Sequence, residues 1–237
     1  DGARRFELFP VCVPAATMSQ TSDQRSADFL KIADQFKLGA LTTESSHPVT
    51  ANLSEVAKGD IAAGLRLLFD VDDDVVRKYR EFEESGRARA IADTVVAALR
   101  NGGNLYFTGC GSTGRLSIQL ASIWRDYWQR SGLSAAKEFE NRAFPVMAGG
   151  DFALIKAVEG FEDFTAFGKK QIGDLGVNRK DVVFAITEGG ETSFVIGTAW
   201  QGVAVGAKVY FVYNNPDDVL CEHVQRSRED RKSTRLN

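Results

Sequence analysis

The chain has 237 residues, of which 43% are hydrophobic and 26% charged, and it carries a formal net charge of −3 at pH 7. This suits one α/β domain with helical additions, and it speaks against nucleic-acid binding and against a membrane-spanning segment. Three cysteines (Cys12, Cys110, Cys221) without pairing or ligand spacing predict a reduced cytoplasmic setting, and two histidines (His47, His223) speak against an imidazole-rich metal site; no metal and no cofactor are expected.

In chain order, residues 1–17 precede the first methionine, Met18, and lack the basic start and long apolar middle of a secretory signal. A non-native leader is expected there. Residues 18–100 read as a helical segment. Phe29, Ile32, Ala33 and Phe36 fall at helical spacing over Ser26 to Leu38, with Gly39 as a stop. The polar stretch Leu41 to Asn52, with Pro48 inside it, reads as an extended connector. Leu53 to Phe69 returns to helix, with Val56, Ile61, Leu65, Leu68 and Phe69 mostly on one side. Asp72 to Asp74 then place negative charge where a new helix N-terminus favours it, ahead of Val75, Val76, Tyr79 and Phe82. A further helix, Arg87 to Arg100, ends at Gly102-Gly103.

Residues 101–229 alternate. Strands are predicted at Leu105 to Thr108, Phe144 to Ala148, Val182 to Thr187 and Val209 to Tyr213. Between them lie a helix from about Thr113 to Arg130, shorter helices around Phe152 to Val158 and Phe164 to Leu175, and a helix at Ser193 to Val205. Apolar strands alternating with helices predict a parallel sheet covered on both faces. The stretch Asp230 to Asn237 reads as an adapter-derived tail.

Two strand-to-helix corners are rich in glycine and hydroxyl groups: Gly109-Cys110-Gly111-Ser112-Thr113-Gly114 and Thr187-Glu188-Gly189-Gly190-Glu191-Thr192. The first N–H groups of a helix lack intrahelical partners, and the helix dipole favours an anion beside them. Two such corners in one α/β unit point to a phosphorylated ligand at the sheet's C-terminal edge. The first corner also fits G-x-G-x-x-G, which opens a dinucleotide reading. That reading needs an acid about 20 residues on, after the next strand; Glu138 and Glu140 precede that strand instead. A tight structural turn at the first corner, and a helix cap plus turn at the second, remain as bland alternatives.

Gly109 through Leu116 resembles the first signature of sugar isomerase (SIS) domains, specifically those of the N-acetylmuramic acid 6-phosphate etherases and the glucokinase regulatory protein. Ala148-Gly149-Gly150, followed by Ala157-Val158-Glu159-Gly160-Phe161-Glu162-Asp163, is similar to a second signature of that group. Thr187 to Thr192 is similar to the Ser-rich second loop of SIS domains, with Gly189 where serine is usual. Leu41 to Ser45, then His47 to Thr50, is similar to the N-terminal segment. The resemblance runs from about Leu41 to Pro216. It implies a flavodoxin-like, doubly wound parallel sheet of about five strands and a phosphosugar ligand. It also implies a chain that continues beyond this one and a homodimer in full-length form.

By the same resemblance, Gly111, Ser112, Thr113 and Arg115 would meet the ligand from the first corner, and Thr187, Glu188, Gly189, Gly190 and Thr192 from the second. Arg115 would pair equally well with a carboxylate of its own domain. Glu188 and Glu191 would repel phosphate, so their carboxylates are expected to face elsewhere, Glu188 toward sugar hydroxyls. The etherase reaction eliminates lactate and adds water back, which requires two acid–base groups flanking the reacting carbons. Glu162 matches one of them and is the candidate catalytic residue. Ile123 stands where the other carboxylate belongs, as in the regulatory-protein branch, with Asp126 one helical turn away. Trp124, Tyr127 and Trp128 read first as packing residues. Three functions follow: a phosphosugar-binding SIS protein with altered or absent catalysis, an active lyase or isomerase using Glu162, and a dinucleotide-binding oxidoreductase.

Overall fold

Alternate positions of each short strand are apolar on both sides, so the strands must be buried between two layers of helices. The computed structural model describes residues 21–31, 33, 38–156, 159–224 and 227. Its strands are β1 (Leu105–Gly109), β2 (Ala143–Met147), β3 (Val182–Ile186) and β4 (Lys208–Val212). They pair in parallel in the order β2-β1-β3-β4, a doubly wound arrangement. The sheet has four strands among the described residues, against the five or so that the resemblance implies.

One face carries Tyr106, Val183, Ala185 and Val209, packed on Ile172 of α7 (Thr165–Asp174) and on Phe194, Val195 and Ala199 of α8 (Ser193–Ala204). The other carries Leu105, Phe107, Val182, Phe184 and Tyr210, packed against Val95, Ala98 and Leu99 of α4 (Arg87–Arg100) and Trp124 of α5 (Gly111–Arg130). Phe107, Phe184 and Tyr210 stack in a row across β1, β3 and β4, with ring centroids 5.1 and 5.3 Å apart. At the N-terminal edge, the buried carboxylate of Asp181 accepts the N–H groups of Asn104 and Asn178, each at 2.8 Å, and so ties the starts of β1 and β3 together.

The helical segment differs from its sequence reading in two places. The break after Leu53 falls at Asp60, between α2 (Leu53–Gly59) and α3 (Ile61–Glu84), and not at Asp72 to Asp74. Asp60 is the N-cap: its Oδ1 accepts from Ala62 and Ala63 N–H at 2.9 and 3.1 Å. The later aspartates lie inside α3, where Asp74 pairs with Arg77 at 2.7 Å. The first predicted helix starts earlier, as α1 (Ser22–Leu30), because Thr21 and Gln24 cap each other reciprocally. Residues 32 and 34–37 of that expectation lie outside the described residues, as do Ala157 and Val158. The connector from Leu41 to Asn52 holds two 3-10 turns, Thr42–Glu44 and Pro48–Thr50. Two short helices, α6 (Ala136–Phe139) and α9 (Asp217–His223), are additions to the predicted set. Residues 1–37 form a separate unit, represented among the described residues mainly by α1.

Helices α7 and α8 approach so closely that a side chain has no room at their crossing. A Cβ on Gly168 would overlap the carbonyl of Phe194, and one on Gly197 the carbonyl of Thr165. Gly168→Ala and Gly197→Ala should each destabilise the protein by about 1–3 kcal/mol, measured by urea unfolding. Gly59→Ala, at a position open to space, should leave stability unchanged or slightly raised.

Candidate functional site

The chain leaves β1 toward β2 and leaves β3 toward β4, so the connections diverge between two strands that are neighbours in the sheet. In doubly wound sheets this reversal opens a crevice at the C-terminal ends of the strands. β1 and β3 run in register, Thr108 opposite Ala185, and each ends directly in one of the two glycine-hydroxyl corners. Both corners therefore occupy the same rim, on adjacent strands about 4.8 Å apart.

At the first corner, Cys110 is the extended N-cap of α5 and its carbonyl accepts from Gly114 N–H at 2.9 Å. Gly111, Ser112 and Thr113 form the first turn, whose N–H groups have no partner within the helix. Ser112 and Arg115 are exposed and Thr113 is half-buried. Gly114 is buried against Met147 at the end of β2.

At the second corner, Thr187 and Thr192 close the loop through their hydroxyls, 2.9 Å apart. One of the two hydroxyl hydrogens makes that bond, which leaves the other to donate. Glu188 is exposed, whereas Gly189 and Gly190 are buried. Gly190 has a φ of 89°, a left-handed conformation that a glycine adopts without strain. Glu191 is half-buried. Its carboxylate folds back onto Gly189, where any side chain would overlap it.

Glu162 joins these corners. Its carbonyl accepts from the N–H of Phe194 in the first turn of α8, at 2.9 Å. Its charge also reaches Cys110 in the first corner. Burial pushes the Cys110 thiol up to about 12, and the carboxylates of Glu162 and Asp163 add to the rise. Ile123, by contrast, lies twelve residues along α5 from Gly111, about 18 Å along the helix axis. It is 57% exposed in a stripe with Leu116, Leu120 and Tyr127. Glu138 and Glu140 sit ahead of β2, at the end of the strand remote from the corners, which removes the acid that a dinucleotide site needs.

Residues 88–201 match the family model of the glucokinase regulatory protein N-terminal SIS domain. The chain is a SIS-domain protein. It is 31% identical over 175 residues to the N-acetylmuramic acid 6-phosphate etherase of Deinococcus radiodurans, covering 73% of this chain and 53% of that protein. The etherase of Serratia proteamaculans is 31% identical over 188 residues, covering 79% of this chain and 59% of its own length. N-acetylmuramic acid 6-phosphate etherase 1 of Bacillus licheniformis is 27% identical over 192 residues, covering 81% and 59%. The chain thus spans little more than half the length of these curated relatives. No helix among the described residues is long and apolar enough to cross a membrane.

The second corner of this SIS domain is supported from behind by residues distant in sequence. Buried Asn215 and Ser227 donate to the carbonyls of Gly189 and Gly190, each at 2.8 Å. The local signal was the turn-forming Asn214-Asn215-Pro216 after β4. At pH 8, Cys110 should resist Ellman's reagent while the protein is folded, with thiols identified by peptide mass mapping. Glu162→Gln removes one of the charges that keep it protonated and should speed its labelling several-fold. An unchanged rate would place the Glu162 carboxylate away from the first corner.

Proposed function

We propose that this SIS domain binds a phosphorylated amino sugar at the rim between β1 and β3, with etherase-type catalysis weakened or lost. The observation that carries this reading is the pair of corners on adjacent in-register strands, each offering backbone donors and hydroxyls. Gly111, Ser112, Thr113 and Arg115 serve from one corner, and Thr187, Glu188, Gly189, Gly190 and Thr192 from the other. The relatives are enzymes named for a 6-phosphorylated amino sugar, which supports the ligand class.

Proton transfer is where this chain departs from the etherase pattern. Glu162, held beside the start of α8, is the candidate acid–base residue. By the family resemblance the second carboxylate belongs at Ile123, which has no proton to give or take and in this chain lies about 18 Å along α5 from the first corner. An active lyase or isomerase would have to work with Glu162 alone. Lactate release from N-acetylmuramic acid 6-phosphate should be undetectable. Turnover abolished by Glu162→Gln would instead establish the active-enzyme reading.

Ligand class is tested by thermal unfolding. N-acetylglucosamine 6-phosphate at about 100 times its dissociation constant should stabilise the fold by about 2.7 kcal/mol, an upward shift of about 5–10 °C in Tm. NAD should leave Tm unchanged; stabilisation by NAD alone would overturn the proposal.

The protein also forms a homodimer in this reading, and works in the cytoplasm. Support comes from apolar surface: Leu116, Ile123 and Tyr127 of α5 are 61%, 57% and 60% exposed, and they lie on one helical stripe. Light scattering should give a dimer mass, and Ile123→Glu should shift it toward monomer.

A further inference from the structure

Three successive carbonyls of the second corner are held from the same side. The carbonyl of Glu188 accepts from Asn214 N–H at 2.9 Å. That of Gly189 accepts from Asn215 Nδ2 at 2.8 Å, and that of Gly190 from Ser227 Oγ at 2.8 Å. In a trans peptide the C=O of one residue and the N–H of the next point in opposite directions, and the chain has no cis bond among its described residues. With these carbonyls fixed by Asn214 and Asn215 of the β4–α9 connection and by Ser227 beyond α9, the N–H groups of Gly189, Gly190 and Glu191 turn away from those donors. In an extended chain successive N–H groups alternate; the positive φ of Gly190 helps them converge here. The N–H groups of Gly189 and Gly190 have no hydrogen-bond partner among the described residues.

Asn215 is the central member of this support. It is 4% exposed, and its side chain makes three hydrogen bonds. Oδ1 accepts from Thr43 N–H at 3.2 Å, while Nδ2 donates to Thr43 Oγ1 at 2.9 Å and to the Gly189 carbonyl. Thr43 lies 172 residues away in sequence, on a 3-10 turn beside Leu41, which is buried against Leu220 and Val224. The early segment of the SIS body therefore fixes the amide, and the amide fixes the loop peptide.

We infer that Asn215 is a positioning residue for anion binding: it aims the Gly190 N–H at the ligand by holding the Gly189 carbonyl from behind, with Ser227 doing the same one peptide later. Asn215 does not touch the ligand. The inference rests on the phosphosugar reading above and adds the residue that presets its second corner. A preset donor costs no reorganisation when the anion arrives, which is how backbone N–H groups become effective anion sites.

The test is a 15N-resolved titration of the whole chain with N-acetylglucosamine 6-phosphate, comparing wild type, Asn215→Ala and Thr43→Val. In wild type the Gly190 amide should move downfield and saturate. In Asn215→Ala the affinity should fall by about 10- to 100-fold, the worth of a charge-assisted hydrogen bond, and the Gly190 response should be lost even near saturation. Thr43→Val removes a half-buried partner of the same amide but leaves its bond to Gly189. It should lower Tm while keeping affinity within about threefold and the Gly190 shift intact. A purely structural role would lower Tm in both variants and spare affinity in both, which would overturn the inference. Should Asn215→Ala not fold, Ser227→Ala probes the next peptide: a weakened Glu191 amide response supports the inference, and an unchanged one overturns it. Absence of any binding by wild type, to this ester or to inorganic phosphate, overturns the ligand reading and this inference together. Tight binding by both wild type and Asn215→Ala overturns the positioning role alone.

Discussion

Strands β1 and β3 lie side by side although β2 comes between them in the chain, and this pairing sets what the molecule offers a ligand. Because the chain turns toward opposite ends of the sheet after each, the two following helices diverge and leave the corners uncovered by either. The apolar row Phe107, Phe184 and Tyr210 on one face, and Tyr106, Val183 and Ala185 on the other, hold the strands in register from both sides. Asp181 secures the opposite end of the same pair.

The electrostatics around those corners are unusual for an anion site. Glu162, Asp163, Glu188 and Glu191 all lie in or beside them, and Arg115 follows the first turn of α5. Attraction for a phosphate then depends on backbone dipoles and hydroxyls more than on net charge. That makes peptide orientation, set at the second corner by Asn214, Asn215 and Ser227, matter more than it would in a lysine- or arginine-lined pocket. The same acidic surroundings add to burial in pushing the half-buried Cys110 thiol up to about 12.

Much of this was legible in the sequence because it is local. The strands are short apolar runs, and α4, α5 and α8 follow helical spacing between glycine and hydroxyl punctuation. The helix break at Asp60 was misplaced because the three aspartates from Asp72 outweighed the single cap after Gly59, although only Asp60 finds free N–H groups. The Asn215 support was not legible. Its partners are Thr43, 172 residues away, and Gly189, 26 away, and no periodicity links them. Likewise, nothing local foretold that Glu191 would fill the recess left by the missing side chain at Gly189.

Binding of this kind needs both corners to grip one phosphate ester. A crystal soaked with N-acetylglucosamine 6-phosphate tests that directly. The phosphate should lie within hydrogen-bonding distance of the first turn of α5 and of the Gly189–Thr192 loop at once. A phosphate bound by one corner only, or elsewhere on the sheet, would contradict it.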